Sequence, residues 1–179
     1  MTIRFYNTMT RTKEEFIPLE PGKATMYHCG PTVYMQASIG NFRAFLLGDL
    51  LRRHLEYRGY EVKQVMNITD VGHMTDDDED QGWDKMEESA KAEKLDPLQI
   101  ARKYEELFFK DVDTLGIRRA HVYPRATEHI EDMQKMISVL LEKGLAYEVE
   151  GNVFFDISKF PSYGKLSGKN LDELVEGAR

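Results

Sequence analysis

The one cysteine of this chain, Cys29, stands before Gly30-Pro31 at the end of a short strand-like run, and Ser38-Ile39-Gly40-Asn41 follows shortly after. A thiol in such a place is either a small buried hydrophobe, the commoner use, or a soft ligand for a metal. The second group opens a helix, whose first N–H groups lack intrahelical partners and carry partial positive charge. With Gly40 allowing close approach, that end is the kind of anion site that suits a nucleotide triphosphate, although a glycine at a helix start more often serves packing. His28 alternates to the strand face opposite Cys29 and reads as structural. His73, followed by the acidic run from Thr75 to Lys85, reads as part of a solvated loop rather than a metal centre.

The elements that must hold these groups follow from periodicity. Thr25 to Gly30 reads as a strand closed by Gly-Pro. From Ile39 to Tyr57 the leucines at 46, 47, 50, 51 and 55 form a helical stripe, ended by Gly59 as a C′ residue. Tyr60 to Ile68 is a second strand, so strand, helix and strand make the βαβ unit of a parallel sheet. Asp96 before Pro97 gives an N-cap with proline at N1, and Ala101, Tyr104, Phe108, Val112 and Leu115 share one face of a helix stopped by Gly116. A third helix begins near Thr127, with Ile130, Met133, Ile137, Leu140 and Leu141 on one side and Gly144 at its end. Then comes a hairpin, "LAYEVE" answered by "VFFDI", with Gly151-Asn152 as its turn. The final stretch from Pro161 reads as a loop and a short helix. The fold class is therefore α/β: a Rossmann-like half over residues 1–116, including a helical extension, and a helix and β-hairpin segment over residues 117–179.

Composition narrows the classes. With 179 residues, 41% apolar and 31% charged, the chain suits one globular domain or a domain with a smaller insertion. One cysteine excludes an internal disulfide framework and suits a reducing cytoplasm. No run is long enough to span a membrane, and the N-terminus has no apolar core of a secretion signal. A net charge of −7 argues against a wholly basic nucleic-acid binder. Arg52, Arg53, Arg58 and Lys63 lie close in sequence and read as a solvated surface.

The order of the motifs says more than any one of them. "YHCGPTVY" (Tyr27 to Tyr34), "SIGNFR" (Ser38 to Arg43) and "NITD" (Asn67 to Asp70) follow one another, and "YPRATEHI", "KGLAYEVEGNVFFDI", "YGKLS" and "EGAR" continue the pattern. Over essentially the whole chain this resembles the N-terminal catalytic region of cysteinyl-tRNA synthetases, class I enzymes with an H-I-G-H or H-I-G-N signature. The resemblance implies a Rossmann-like nucleotide fold, incomplete here, with the start of a connective insertion. It implies ATP and cysteine as substrates, tRNA(Cys) as the acceptor, a cytoplasmic setting and a zinc ion that grips the cysteine thiolate. A soft sulfur on zinc separates cysteine from serine. By the same resemblance Cys29 is a zinc ligand, and Gly30, Thr32 and Thr69 line the amino-acid pocket. Ser38, Ile39, Gly40 and Asn41 hold ATP, with Ser38 at the phosphates and Asn41 near the nucleoside as the catalytic pair.

Two departures qualify that expectation. Ser38 stands where the family has histidine; a hydroxyl caps a helix well but carries no positive charge and reaches less far. Losing one transition-state donor costs about 2.7–4 kcal/mol in other enzymes, so weakened activation is expected. The chain also ends before the family's K-M-S-K-S loop, its other zinc ligands and its anticodon-reading part, so as given it is expected to be inactive alone. A sister cysteine ligase with an amino-sugar acceptor and a catalytically degenerate nucleotide- or protein-binding paralogue stand as the alternatives.

Overall fold

A computed structural model of the chain describes residues 2–71, 91, 93 and 95–168; His73, the acidic run after it and the residues beyond 168 lie outside these. Two compact units divide the chain, one of Met1–Ile17 with Glu131–Arg179 and the other Pro18–Ile130.

The second unit carries the parallel pair. Strand β3 (Lys23–His28) runs beside β4 (Glu61–Met66), from Lys23↔Glu61 to His28↔Met66. The crossover is α1 (Ile39–Tyr57), capped by Ser38 and followed by Gly59 at φ +86°. Glycine reaches that left-handed conformation without a Cβ penalty. A third parallel track, not foreseen, borders β4 on its other side. Met66 N–H donates to the Val122 carbonyl (3.1 Å), Ile68 N–H to that of Pro124 (2.9 Å), and Ala126 N–H returns a bond to Ile68 (3.1 Å). Pro124 interrupts any strand pattern, and as an edge residue it needs no ladder donor.

Helix α2 (Pro97–Thr114) starts as expected, with Asp96 accepting from Leu98 N–H at 2.9 Å and proline at its first turn, and it gives way to Gly116 at φ +66°. Its buried face is Ile100, Ala101, Glu105, Phe108 and Val112. Leu115, expected on that face, is exposed. The main apolar cluster joins Phe42, Phe45, Met66, Phe108, Val112 and Ile117, and the Phe45 and Phe108 rings meet edge to face at 5.3 Å. Each fully buried side chain of this size contributes about 1.5–3 kcal/mol.

The leucine stripe of α1 is corrected by this packing. The helix buries Phe42, Phe45, Gly48, Asp49 and Leu55. Leu46, Leu47 and Leu50 stay exposed, and Phe42 and Phe45 are the residues that pack against Met66, Phe108 and Val112. The basic residues of α1 are also less solvated than expected. Arg52 donates to Glu56 (2.8 Å) and the Arg119 carbonyl (2.9 Å), while Arg53 binds Asp49 and the Gly116 carbonyl (both 2.8 Å). They rivet α1 to the segment leading into the third track.

Among its described residues the first unit holds two hairpins. Strands β1 (Arg4–Asn7) and β2 (Thr12–Glu15) pair antiparallel, and Phe5 meets Phe16 edge-on at 5.4 Å. Helix α3 (Ile130–Glu142) follows a 3-10 turn (Ala126–His129); among the described residues it buries no side chain fully. In the second hairpin β5 (Ala146–Val149) pairs with β6 (Asn152–Phe155). Its turn is Glu150-Gly151, both at positive φ (52° and 80°), and Asn152 already pairs with Val149. The turn therefore lies one residue earlier than expected, in the positive-φ geometry that matches the twist of a two-residue hairpin. No helix among the described residues is long and apolar enough to cross a membrane.

Candidate functional site

At the carboxyl ends of β3 and β4 the two strands fall out of step. His28 pairs with Met66, and the next bridge joins Thr32 to Thr69. Cys29, Gly30 and Pro31 thus oppose only Asn67 and Ile68, which is a one-residue bulge in β3. Its effect shows in the burial. Before the bulge the even residues Ala24, Met26 and His28 point inward; after it the odd residues Pro31 and Val33 do. On β4 the even side stays inward throughout, with Gln64, Met66, Ile68 and Asp70 buried. Cys29 and Thr32 therefore share the face opposite the helices, and Asn67 and Thr69 join them from β4.

The bulge is held at close quarters. Gly30 N–H donates to Asn67 Oδ1 at 3.0 Å, and Asn67 Nδ2 donates to Thr69 Oγ1 at 3.2 Å. Thr69 N–H reaches the Pro31 carbonyl (3.0 Å) and Val33 N–H the Thr69 carbonyl (3.1 Å). A Cβ at residue 30 would stand 1.8 Å from the Asn67 carbonyl oxygen, so only glycine fits. Cys29 is exposed, unlike the buried hydrophobe that a lone cysteine usually is. His28 points the other way, with its ring against Gly48, where an added Cβ would lie 2.8 Å from Cε1. Burial lowers its pKa, and its Nε2 is buried with no hydrogen-bond partner among the described residues.

Across the loop from β3, the start of α1 is a reciprocal cap. Asn41 Oδ1 accepts from Ser38 N–H and from Ser38 Oγ, both at 2.8 Å, and Asn41 N–H donates back to Ser38 Oγ at 3.4 Å. Serine thus completes the cap that the turn needs. Ile39 is 91% exposed at this end, and Gly40 has no neighbour near its missing Cβ except Ser38 Oγ at 3.5 Å. No acidic side chain lies in the first turn of α1, so the helix's own opening residues carry no negative charge against an anion.

The other side of "NITD" is fastened from the third track. Asp70 accepts from Thr127 N–H (3.0 Å) and Thr127 Oγ1 (2.6 Å), which employs both its oxygens and keeps it buried. Two residues before Thr127 in the chain, Arg125 grips Glu105 of α2 through Nε, at 3.2 and 3.0 Å, and through Nη2. The structure therefore brings Cys29, Gly30, Thr32 and Thr69 onto one strip and places Ser38, Ile39, Gly40 and Asn41 at the adjoining helix end. Reading the sequence missed Asn67, whose signal was its place two residues before Thr69, on the same face of a strand.

Zinc takes three or four protein ligands in the sites that proteins build for it. Among the described residues no group of three or more histidine, cysteine or carboxylate side chains is gathered to hold a metal. Cys29 alone does not make such a site. A shallow concavity of about 530 Å³ beside α2, lined by Glu106, Phe109, Lys110, Asp113, Thr114 and Arg119, includes none of the residues above.

Comparison with known proteins adds an independent measure. Residues 15–179 match the family model described as tRNA synthetases class I (C) catalytic domain. The chain is 49% identical over 177 residues to a cysteine--tRNA ligase of Carboxydothermus hydrogenoformans, covering 99% of this chain and 36% of that protein. It is 48% identical over 177 residues to the cysteine--tRNA ligase of Deinococcus radiodurans, covering 99% of this chain and 35% of that one. The chain thus spans about a third of the length of these relatives. Among solved structures, the ternary complex of Agrobacterium radiobacter K84 agnB2 LeuRS-tRNA-LeuAMS superposes with a TM-score of 0.55 at 23% identity. That match covers 73% of this chain and 16% of that one, a likeness of fold.

Proposed function

The chain belongs to the family of class I (C) tRNA synthetase catalytic domains, and from that premise we propose that it supplies the amino-acid strip and the ATP-binding helix end of a cysteine--tRNA ligase. In the reaction a carboxylate oxygen of cysteine attacks the α-phosphorus of ATP. The bond to the bridging oxygen of the β-phosphate breaks, and pyrophosphate leaves with the electron pair. A ribose hydroxyl of the terminal adenosine of tRNA(Cys) then attacks the activated carbonyl, and AMP departs.

The observation that carries this reading is the shared strip. Cys29, Thr32 and Thr69 stand together at the carboxyl ends of parallel strands, where open α/β sheets bind ligands, and the next helix presents its capped N-terminus there. Thr32 and Thr69 offer the amino acid small polar walls. The free N–H groups after Ser38 receive the triphosphate, and Gly40 lets it come close. In-line transfer of this kind depends on positioning and on donors aimed at the phosphoryl oxygens. Ser38 contributes a neutral hydroxyl, tied to Asn41, in place of an imidazole. Zinc would hold the substrate thiolate, with Cys29 as one thiolate ligand and the remaining ligands outside the described residues. The described residues do not complete that centre.

Charging of tRNA(Cys) by the full-length protein, with cysteine against serine and with an amino sugar offered as the other acceptor, tests the assignment. The proposal expects cysteinyl-tRNA and no seryl product. Transfer to the amino sugar, or no transfer at all, would contradict it.

A further inference from the structure

The amino-acid strip depends on an irregularity. In an unbroken β3, residues 29 and 32 would point to opposite faces, because strand side chains alternate. The extra residue between the His28↔Met66 and Thr32↔Thr69 pairs removes that conflict. A bulge leaves its extra residue without a ladder partner, and an unpaired backbone N–H is costly where water is scarce. Here the residue is half-buried Gly30, and its N–H is taken by a side chain, Asn67 Oδ1, at 3.0 Å. The same carboxamide donates from Nδ2 to Thr69 Oγ1 at 3.2 Å. One planar group thus closes the bulge and turns a wall residue of the strip. Main-chain bonds between Thr69 and Pro31 and between Val33 and Thr69 then restore the ladder in its shifted register.

Resting on the function proposed above, we propose that Asn67 is a positioning residue for amino-acid selection: its carboxamide locks the β3 bulge that puts Cys29, Thr32 and Thr69 on one face. Among the described residues the hydrogen bonds of the Asn67 carboxamide go to Gly30 and Thr69, not to the α1 end. Loss of Asn67 therefore blurs recognition of the amino acid and leaves ATP binding as it was. The two hydrogen bonds are not equivalent. An aspartate keeps an acceptor for Gly30 N–H and can receive the Thr69 hydroxyl, so it preserves the lock, while alanine removes both bonds.

Steady-state pyrophosphate exchange by the full-length protein reads this out, with KM for cysteine and for ATP measured separately. Asn67→Ala is expected to raise the cysteine KM at least tenfold with the ATP KM within twofold, and Asn67→Asp to return the cysteine KM to within about threefold of the parent. Amide exchange at Gly30 should quicken at least tenfold in the alanine variant and not in the aspartate one. Should Asn67→Ala fail to fold, Asn67→Gln, with the same groups one methylene farther out, must show the same cysteine-selective rise. An equal rise in both KM values, no rise in either, or an aspartate variant as poor as the alanine one overturns the proposal. Cys29→Ala assayed in parallel distinguishes loss of the Asn67 role from loss of the amino-acid strip itself. If it abolishes cysteine-dependent exchange while Asn67→Ala changes nothing, only the role of Asn67 falls. If it leaves exchange intact, the amino-acid strip itself is misassigned and the role of Asn67 falls with it.

Discussion

Replacing Arg125 by methionine should unfasten the outer track beside β4, and the size of the effect can be worked out from the pair it breaks. Glu105 is the buried partner, its side chain 8% exposed against 25% for Arg125, and three hydrogen bonds join them. Those bonds hold the Arg125 guanidinium pKa above its ordinary value. Orphaning a buried charge costs about 3–5 kcal/mol, much more than the pair itself is worth. Arg102 remains within 3.5 Å of Glu105 Oε2, but its side chain is half exposed, so it offsets only a small part. The expected loss is about 2–4 kcal/mol, which lowers the melting temperature of a chain this size by roughly 5–15 °C. Glu105→Gln should cost less, about 1–2 kcal/mol, because a partly exposed Arg125 still reaches water and Glu128. The double variant Glu105→Met/Arg125→Met should be more stable than Arg125→Met alone, since no charge is then stranded. Urea unfolding of the four proteins measures all of this. A change below about 0.5 kcal/mol in Arg125→Met, or a double variant weaker than the single, would refute the reasoning.

Other perturbations test neighbouring parts. Gly30→Ala places a methyl 1.8 Å from the Asn67 carbonyl oxygen; backbone must move, and a loss of about 3 kcal/mol or more is expected in urea unfolding. Ser38→Ala removes the hydroxyl from the α1 cap while Asn41 Oδ1 still accepts from the backbone at residue 38. The cost should be about 0.5–1 kcal/mol, measured the same way. Ser38→His in the full-length protein should speed cysteine-dependent exchange on the order of tenfold or more, since an imidazole restores a charged donor; an unchanged rate would show that position 38 does not face the phosphates. The partly buried His28 ring has a lowered pKa because burial disfavours its charged form. The unfolded chain then binds the proton more readily, so stability is intact above the ordinary histidine range near pH 6.5 and falls as pH drops through it. His28→Gln should flatten that slope in melts taken between about pH 5 and 7.5.

Much of the second unit was legible because its signals are local. Asp96-Pro97 marks a helix start by capping and by a fixed φ, and Gly59 and Gly116 mark ends that require positive φ. The Thr25–Gly30 and Tyr60–Ile68 runs announced the parallel pair. Burial within α1 was not legible, because leucine and phenylalanine both fit an apolar stripe and only the shape of the opposing β4–α2 surface selects Phe42 and Phe45. The third track was hidden by Pro124, and β1–β2 by its short, polar strands. At the site, motif order brought Cys29, Thr32, Thr69 and Ser38 into view. The bulge did not show in the sequence, since a change of face arises from pairing between strands 37 residues apart. Asn67 shares a strand face with Thr69, but its bond to Gly30 arises from that same distant pairing.

In the proposed function Cys29, Thr32 and Thr69 select cysteine beside an ATP-binding helix end. The most direct measurement is pyrophosphate exchange into ATP by the full-length protein, dependent on added cysteine, compared with Cys29→Ala. Exchange driven by cysteine, not by serine, and abolished in the variant is the predicted result. Exchange that proceeds equally without Cys29, or that serine drives as well as cysteine, would contradict it.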